Sequence, residues 1–247
     1  EASDPTQNAT LTITGVGAGT VGLDNALTVD ATDATGGSAT SGTDYATYGT
    51  QTLTFSTGDG ASIASTNGTL DVTSDQRLEG DETVNLAIGS LSNTLDGQVS
   101  IADSTHTATI TDDETGVINF AGDAAAAEAT DPTQNATLTI TGIGAGTVGL
   151  DNALTVAATD ATGGSATSGT DYATYGSQTL TFNTGDGASI ASTNGTLDVT
   201  SDQRLEGDET VNLAIGSLSS TLDGQVTIAD STHTATITDD ETGVINF

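Results

Sequence analysis

The chain is a duplication. EASDPTQN at residues 1–8 returns as EATDPTQN at residues 128–135, and the match runs without a gap from residues 1–120 onto 128–247. Seven of these 120 positions differ: Ser3/Thr130, Val16/Ile143, Asp30/Ala157, Thr50/Ser177, Ser56/Asn183, Asn93/Ser220 and Ser100/Thr227. The bridge at residues 121–127 reads AGDAAAA. A unit of 127 residues is a whole domain rather than a solenoid turn. The repeat frame need not be the domain frame, because TGVINF at 115–120 recurs at 242–247. If residues 117–120 open the second domain, the tail opens another. The expected division is therefore residues 1–114, a domain short of its opening strand, and residues 115–241, a complete one. Residues 242–247 are then the opening strand of a following repeat or a strand donated to a neighbouring copy.

Local patterning is period two. ATLTIT at 9–14, ALTVDA at 26–31, TLTF at 52–55, TLDVT at 69–73, TVNLAI at 83–88 and TATIT at 107–111 alternate apolar residues with Thr or other polar ones. Residues 99–102 form a shorter run of the same kind. Thr is β-branched and suits a solvent-facing pleat. Gly-, Asp-, Asn- and Ser-rich turns separate the runs. Residues 124–127 are expected to form one helical turn at most. About seven short strands per repeat predict an all-β chain of two tandem immunoglobulin-like antiparallel sandwiches.

Charge sets the next limit. Asp and Glu number 34 against two basic residues, Arg77 and Arg204, for a formal net charge of −32. Such a chain is not expected to bind nucleic acid or an anionic membrane by charge. With no Cys and no Lys, thiolate and lysine chemistry are excluded. No apolar run reaches the ~18 residues of a bilayer-spanning helix, so no membrane insertion is expected. Aromatics are 3% of residues, too few to offer a sugar-stacking platform. Single histidines, His106 and His233, stand without the partners of a catalytic triad and read as polar strand residues. No enzyme activity is expected.

The acids are clustered. In the first repeat they gather at 75–82 and 112–114, with Asp44 in the SGTDY loop and Glu1 alone at the start. Each cluster lies at a strand end, and in a sandwich the loops collect at the two ends. Carboxylates brought together there repel one another unless a cation lies between them. Ca²⁺ takes about 6–8 oxygen ligands from flexible loops, whereas Mg²⁺ is more demanding of geometry. Isolated acids such as Asp24, Asp33 and Asp59 read as solvated surface. Arg77 and Arg204, inside the acidic loops, read as salt-bridge partners or caps for spare carboxylate oxygens.

The order of these blocks carries a resemblance. GTDY at 42–45, QTLTF at 51–55, GDG at 58–60, the run D-x-x-x-E-G-D-E-T-V-N-L at 75–86 and ATITDDE at 108–114 resemble the Calx-β family, and every block recurs in the second repeat. The connection at 60–68 is longer than usual. Ser74 and Ser201 stand where members often carry a further acid. The resemblance implies a seven-stranded β-sandwich binding Ca²⁺ through loops at one end. Carried over, the ligands of the first repeat are Glu1, Asp44, Asp75, Glu79, Asp112, Asp113 and Glu114. Those of the second are Glu128, Asp171, Asp202, Glu206, Asp239, Asp240 and Glu241, with Glu209 an occasional member.

Three functions fit these features. The first is a Ca²⁺-stiffened tandem-repeat segment of a long secreted or cell-surface protein, such as an adhesin extender or an extracellular filament subunit. Its partners would be neighbouring repeats of the same chain, or other copies joined head to tail by β-strand addition. The second is a Ca²⁺-sensing regulatory module. The third is a ligand-binding module, which lacks a visible aromatic platform.

Overall fold

The computed structural model describes residues 3–247. Apart from a single 3₁₀ turn at Leu222–Gly224, its regular elements are strands. The chain divides into two compact units. Unit 1 comprises Glu1–Asp75 and Asp81–Asp112; unit 2 comprises Gln76–Gly80 and Asp113–Phe247. The chain thus enters unit 2 briefly at Gln76, returns at Asp81, and leaves unit 1 for good at Asp113.

In unit 1 the main sheet has the order Thr105–Ile110, Glu82–Gly89, Leu27–Asp33, Gln51–Phe55, all antiparallel. The alternating Leu27, Val29, Ala31, Leu53, Phe55, Val84 and Leu86 face one core, closed by Tyr45, Tyr48 and Leu70. The opposing layer is made of short pairs. Thr10–Thr12 pairs with Ser62–Ala64, Gly22–Leu23 with Gly58–Asp59, and Thr6–Gln7 with Gly68–Thr69. The TLDVT run is strand only at its start; Val72 makes an isolated bridge to Tyr45.

In unit 2 the main sheet gains a fifth strand. Its order is Ala124–Ala127, Thr232–Thr238, Glu209–Gly216, Leu154–Asp160, Gln178–Phe182. The alanine run, for which the sequence allowed one helical turn at most, is a strand. Four residues are too few to nucleate a helix. The free edge of Thr232–Thr238 instead offers backbone partners, and Ala124–Ala127 pairs with it in parallel. The opposing sheet has the order Ser189–Ala191, Ala136–Thr141, Thr115–Phe120, Val226–Asp230. Thr115–Phe120 is antiparallel to Ala136–Thr141 and parallel to Val226–Asp230. Its Ile118 and Phe120 are 0% and 4% exposed. Gly116 is needed there, because a Cβ would lie 2.9 Å from both Leu138 Cδ1 and Leu78 Cδ2.

The two units therefore differ despite near-identical sequence. The described residues of unit 1 include no strand in the place that Thr115–Phe120 holds in unit 2. Residues 99–102 accordingly form no strand, although their counterparts lie in Val226–Asp230. Leu138 is fully buried, whereas its equivalent Leu11 is only half-buried. Replacing a buried Leu by Ala costs about 2–5 kcal/mol, and the cost falls with burial. Leu138→Ala is expected to lower the stability of its unit by that amount, and Leu11→Ala by clearly less. Chemical denaturation of dilute single variants checks the ordering; equal losses would contradict it.

Candidate cation site

The ligand candidates of the second repeat all lie in unit 2, and with Glu209 six acids there gather in two groups of three. Register explains why. Ala124–Ala127 and Thr232–Thr238 run in parallel and end together, with Ala127 opposite Thr238. Glu209–Gly216 is antiparallel to the latter and begins at the same end, with Glu209 opposite Ile237. Glu128, Asp239, Asp240 and Glu241 thus leave their strands where Glu209 enters its own. The Asp171 loop joins them. Its turn is fixed by Asp171 N–H donating to Thr167 O (3.0 Å) and Thr167 N–H donating to Asp171 Oδ2 (2.6 Å).

Two triads result. Asp171, Glu206 and Glu209 each place a carboxylate oxygen within 4.8 Å of the others, and so do Glu128, Asp240 and Glu241. Glu128, only 8% exposed, links them electrostatically, since its charge acts on both Glu209 and Glu241. Asp202 and Asp239 stand outside both triads. Asp202 Oδ1 accepts Arg204 N–H at 2.7 Å, and Asp202 N–H reaches Glu128 Oε2 at 3.4 Å. Asp239 accepts N–H bonds from Glu241 (3.0 Å), Gly207 (2.8 Å) and Glu206 (2.8 Å). It ties the 206–207 loop to the end of the last strand.

The electrostatics follow from this crowding. The three backbone donors, Glu241 first, draw the Asp239 pKa down to about 2. Glu241 is pushed up to about 7, chiefly because its carboxyl hydrogen-bonds to Asp239, then by desolvation and the charges of Asp240 and Glu128. Glu209 is raised by desolvation first, then by Asp171. The one cation in the loop, Arg204, reaches Glu206 Oε1 at 3.1 Å while its side chain is 74% exposed. It cannot offset so many charges. Glu241 Oε2 is enclosed and has no hydrogen-bond partner. An all-oxygen donor set with an orphaned, enclosed carboxylate oxygen suits a hard divalent cation.

The acids of the first repeat are divided. Asp44, Asp75 and Asp112 lie in unit 1; Glu79, Asp113 and Glu114 lie in unit 2. Asp44 is 7% exposed and accepts Thr40 N–H; Asp112 N–H donates to Asp81 Oδ1 (3.1 Å). Glu114 is fully buried and accepts Ile143 N–H at 2.9 Å. Glu1 lies outside the described residues.

The other singled-out residues have structural partners. Arg77 bonds both Asp151 and Asp186 Oδ1, the latter at 2.6 Å. His233 is 2% exposed, with Nδ1 2.9 Å from Ala121 O and its ring 5.3 Å from Phe120. Its equivalent His106 is exposed. No helix among the described residues is long and apolar enough to cross a membrane.

Comparison with known proteins gives the family. The Calx-beta domain profile matches residues 6–114 and again 122–241, and the chain belongs to that family as a tandem of two such domains. Among solved structures, the apo-form Calx CBD1 domain is 18% identical, covering 51% of this chain and 99% of its own, with a TM-score of 0.38. CBD12 from CALX1.2 is 16% identical over 94% of this chain and 92% of its own, at a TM-score of 0.36. The calcium binding domain CBD12 of CALX1.1 is 14% identical over 93% and 92%, at 0.32. No curated protein sequence matches.

The raised acids fix a pH response. A carboxyl whose folded pKa lies above its unfolded value binds more protons in the folded chain, so its contribution is lost as pH rises through that interval. For Glu241 the interval runs from the ordinary 4.5 to about 7. Asp239 acts with the opposite sign, and only between 3.8 and about 2. In chelator, the melting temperature of unit 2 should be lower at pH 8 than at pH 5.5. A rise over that span in thermal scans would contradict the arrangement.

Proposed function

We propose that the chain is a Ca²⁺-stiffened structural segment of a long secreted or cell-surface protein, an extender or filament element rather than a switch. The supporting observation is the crowding of Glu128, Asp171, Glu206, Glu209, Asp240 and Glu241 at one end of a lightly built sandwich, with a single, largely exposed arginine beside them. The triads Asp171–Glu206–Glu209 and Glu128–Asp240–Glu241 would hold the ions. Asp239 positions the 206–207 loop, and Asp202 fixes the turn that carries Arg204. Bound Ca²⁺ supplies positive charge at the point of strongest repulsion and ties three strand ends and two loops together. The near-identity of the repeats favours serial mechanical use, since a tuned sensor has no need of duplicate sites.

Ligand binding only to the folded state raises stability with the logarithm of free ligand, about 2.7 kcal/mol at a hundredfold excess over Kd. Millimolar Ca²⁺ is therefore expected to raise the melting temperature and the unfolding force of single tethered molecules, and EDTA to reverse both. Glu128→Gln should weaken the gain, because that side chain belongs to one triad and its charge acts on Glu209 of the other. A melting curve and force trace unmoved by Ca²⁺ and EDTA would remove this reading. Micromolar affinity with a large conformational change would favour a sensor instead.

A further inference from the structure

We infer that unit 2 carries a recognition groove for the extended peptide Gln-Arg-Leu, and that the acidic loop of the first repeat fills it as a ligand supplied by the same chain. The occupant is Gln76–Gly80, which reads QRLEG. It belongs to unit 2, while the residues on either side of it, Asp75 and Asp81, belong to unit 1. Its strand, Arg77–Leu78, is two residues long, too short to be held by main-chain pairing alone. What holds it is a set of subsites, one for each successive side chain.

The main chain is gripped along its length. Arg77–Leu78 adds in parallel to Gly149–Leu150, whose other edge is taken by Gly185–Asp186. Gly149 N–H donates to Gln76 O (3.1 Å) and Asp151 N–H to Leu78 O (3.2 Å). Asn152 Nδ2 donates to Glu79 O at 3.2 Å, and Gln76 Nε2 donates to Gly144 O at 2.6 Å. In strand addition the backbone bonds give affinity, and pockets for the side chains give specificity.

Three glycines open those pockets. Gly116, Gly142 and Gly149 are not among the residues with positive φ, so space and not a turn calls for glycine at each. A Cβ on Gly142 would lie 2.8 Å from Gln76 Oε1, one on Gly149 2.5 Å from Arg77 Cζ, and one on Gly116 2.9 Å from Leu78 Cδ2. Gly149 is also crowded by its own sheet, its Cβ position being 2.7 Å from Gly185 O. Glycine within a strand marks such close approaches. Over this floor, Arg77 Nε donates to Asp151 Oδ1 at 2.7 Å, and Nη2 donates to the same oxygen. Arg77 Nη1 donates to Asp186 Oδ1 at 2.6 Å. The rigid guanidinium fork serves two carboxylates at once, which the single ammonium of a lysine matches poorly. Leu78 is 0% exposed and joins the core of unit 2. The groove thus reads a planar cation and then a branched apolar residue.

The loop acts as a clasp by which the sequence of one repeat is read by the other. Its own chain tethers it, and the resulting effective concentration keeps the groove filled. Asp151 and Asp186 belong to neither cation triad, so the inference stands without bound Ca²⁺.

Two measurements on the full chain test it. In the parent, the Gly149 and Asp151 amides, which donate to the loop, should exchange slowly with solvent. Arg77→Gln should speed both about tenfold or more and leave the Leu213 amide of the main sheet unchanged. In an Arg77→Ser/Leu78→Ser chain, whose groove is emptied, millimolar acetyl-QRLEG-amide should shift the Gly149 and Asp151 amide resonances saturably. Acetyl-QLREG-amide, with Arg and Leu exchanged, should not, and adding Asp151→Asn/Asp186→Asn should abolish the response. The parent, its groove filled, should bind the first peptide about tenfold more weakly or less still. Loop-facing amides unprotected in the parent, protection unchanged by Arg77→Gln, or an emptied chain that answers neither peptide or both alike would each overturn the inference. Should the emptied chain fail to fold, the exchange comparison between the parent and Arg77→Gln decides it.

Discussion

Mutual repulsion among carboxylates at the strand ends is the constraint on which the rest of unit 2 turns. Hydrophobic alternation fixes where the strands run, and pairing then delivers Glu128, Glu209, Asp240 and Glu241 to one place whatever the cost in charge. The backbone meets part of that cost by directing three N–H groups onto Asp239. A shared hydrogen bond and a raised pKa at Glu241 meet another part. These are devices for retaining negative charge under crowding, and a divalent ion would serve the same end more completely. The core beneath is built from Leu, Ile, Val and Ala, with Phe182 and two tyrosines among its few rings and no disulfide to brace it. Its stability margin is therefore sensitive to what happens among the acids.

Much of this was legible in the residues. Alternation placed the strands that became Leu27–Asp33, Gln51–Phe55, Glu82–Gly89 and Thr105–Ile110 to within a residue or two at most ends. The order of acidic blocks identified the family. What sequence could not supply was the environment of identical segments. Val99 and Val226, Leu205 and Leu78, and His106 and His233 share their local sequence, yet one of each pair is buried and the other is not. The difference lies in a partner strand brought from elsewhere in the chain, and no local pattern encodes that. The alanine run at Ala124–Ala127 carries no strand pattern for the same reason: an available sheet edge decided its conformation.

Within the acidic set, spacing showed which residues gather but not how their oxygens are used. Asp239 and Asp202 looked equivalent to their neighbours, yet both spend oxygens on backbone N–H groups of the 204–207 loop and its surroundings. Glu209 opens a strand and looked marginal, yet it completes a triad with Asp171 and Glu206. The repeat in the sequence is also not the unit of the structure. Unit 2 takes Gln76–Gly80 and residues 113–120 from the first repeat, and those borrowed pieces bury Leu78, Ile118 and Phe120.

The central claim, that divalent metal sits among the crowded acids, is tested most directly by an anomalous difference map from crystals grown in excess Ca²⁺. The account predicts peaks at carboxylate-ligand distances of about 2.3–2.6 Å from oxygens of Asp171, Glu206 and Glu209, and of Glu128, Asp240 and Glu241. A map without peaks there, at saturating Ca²⁺, would contradict it.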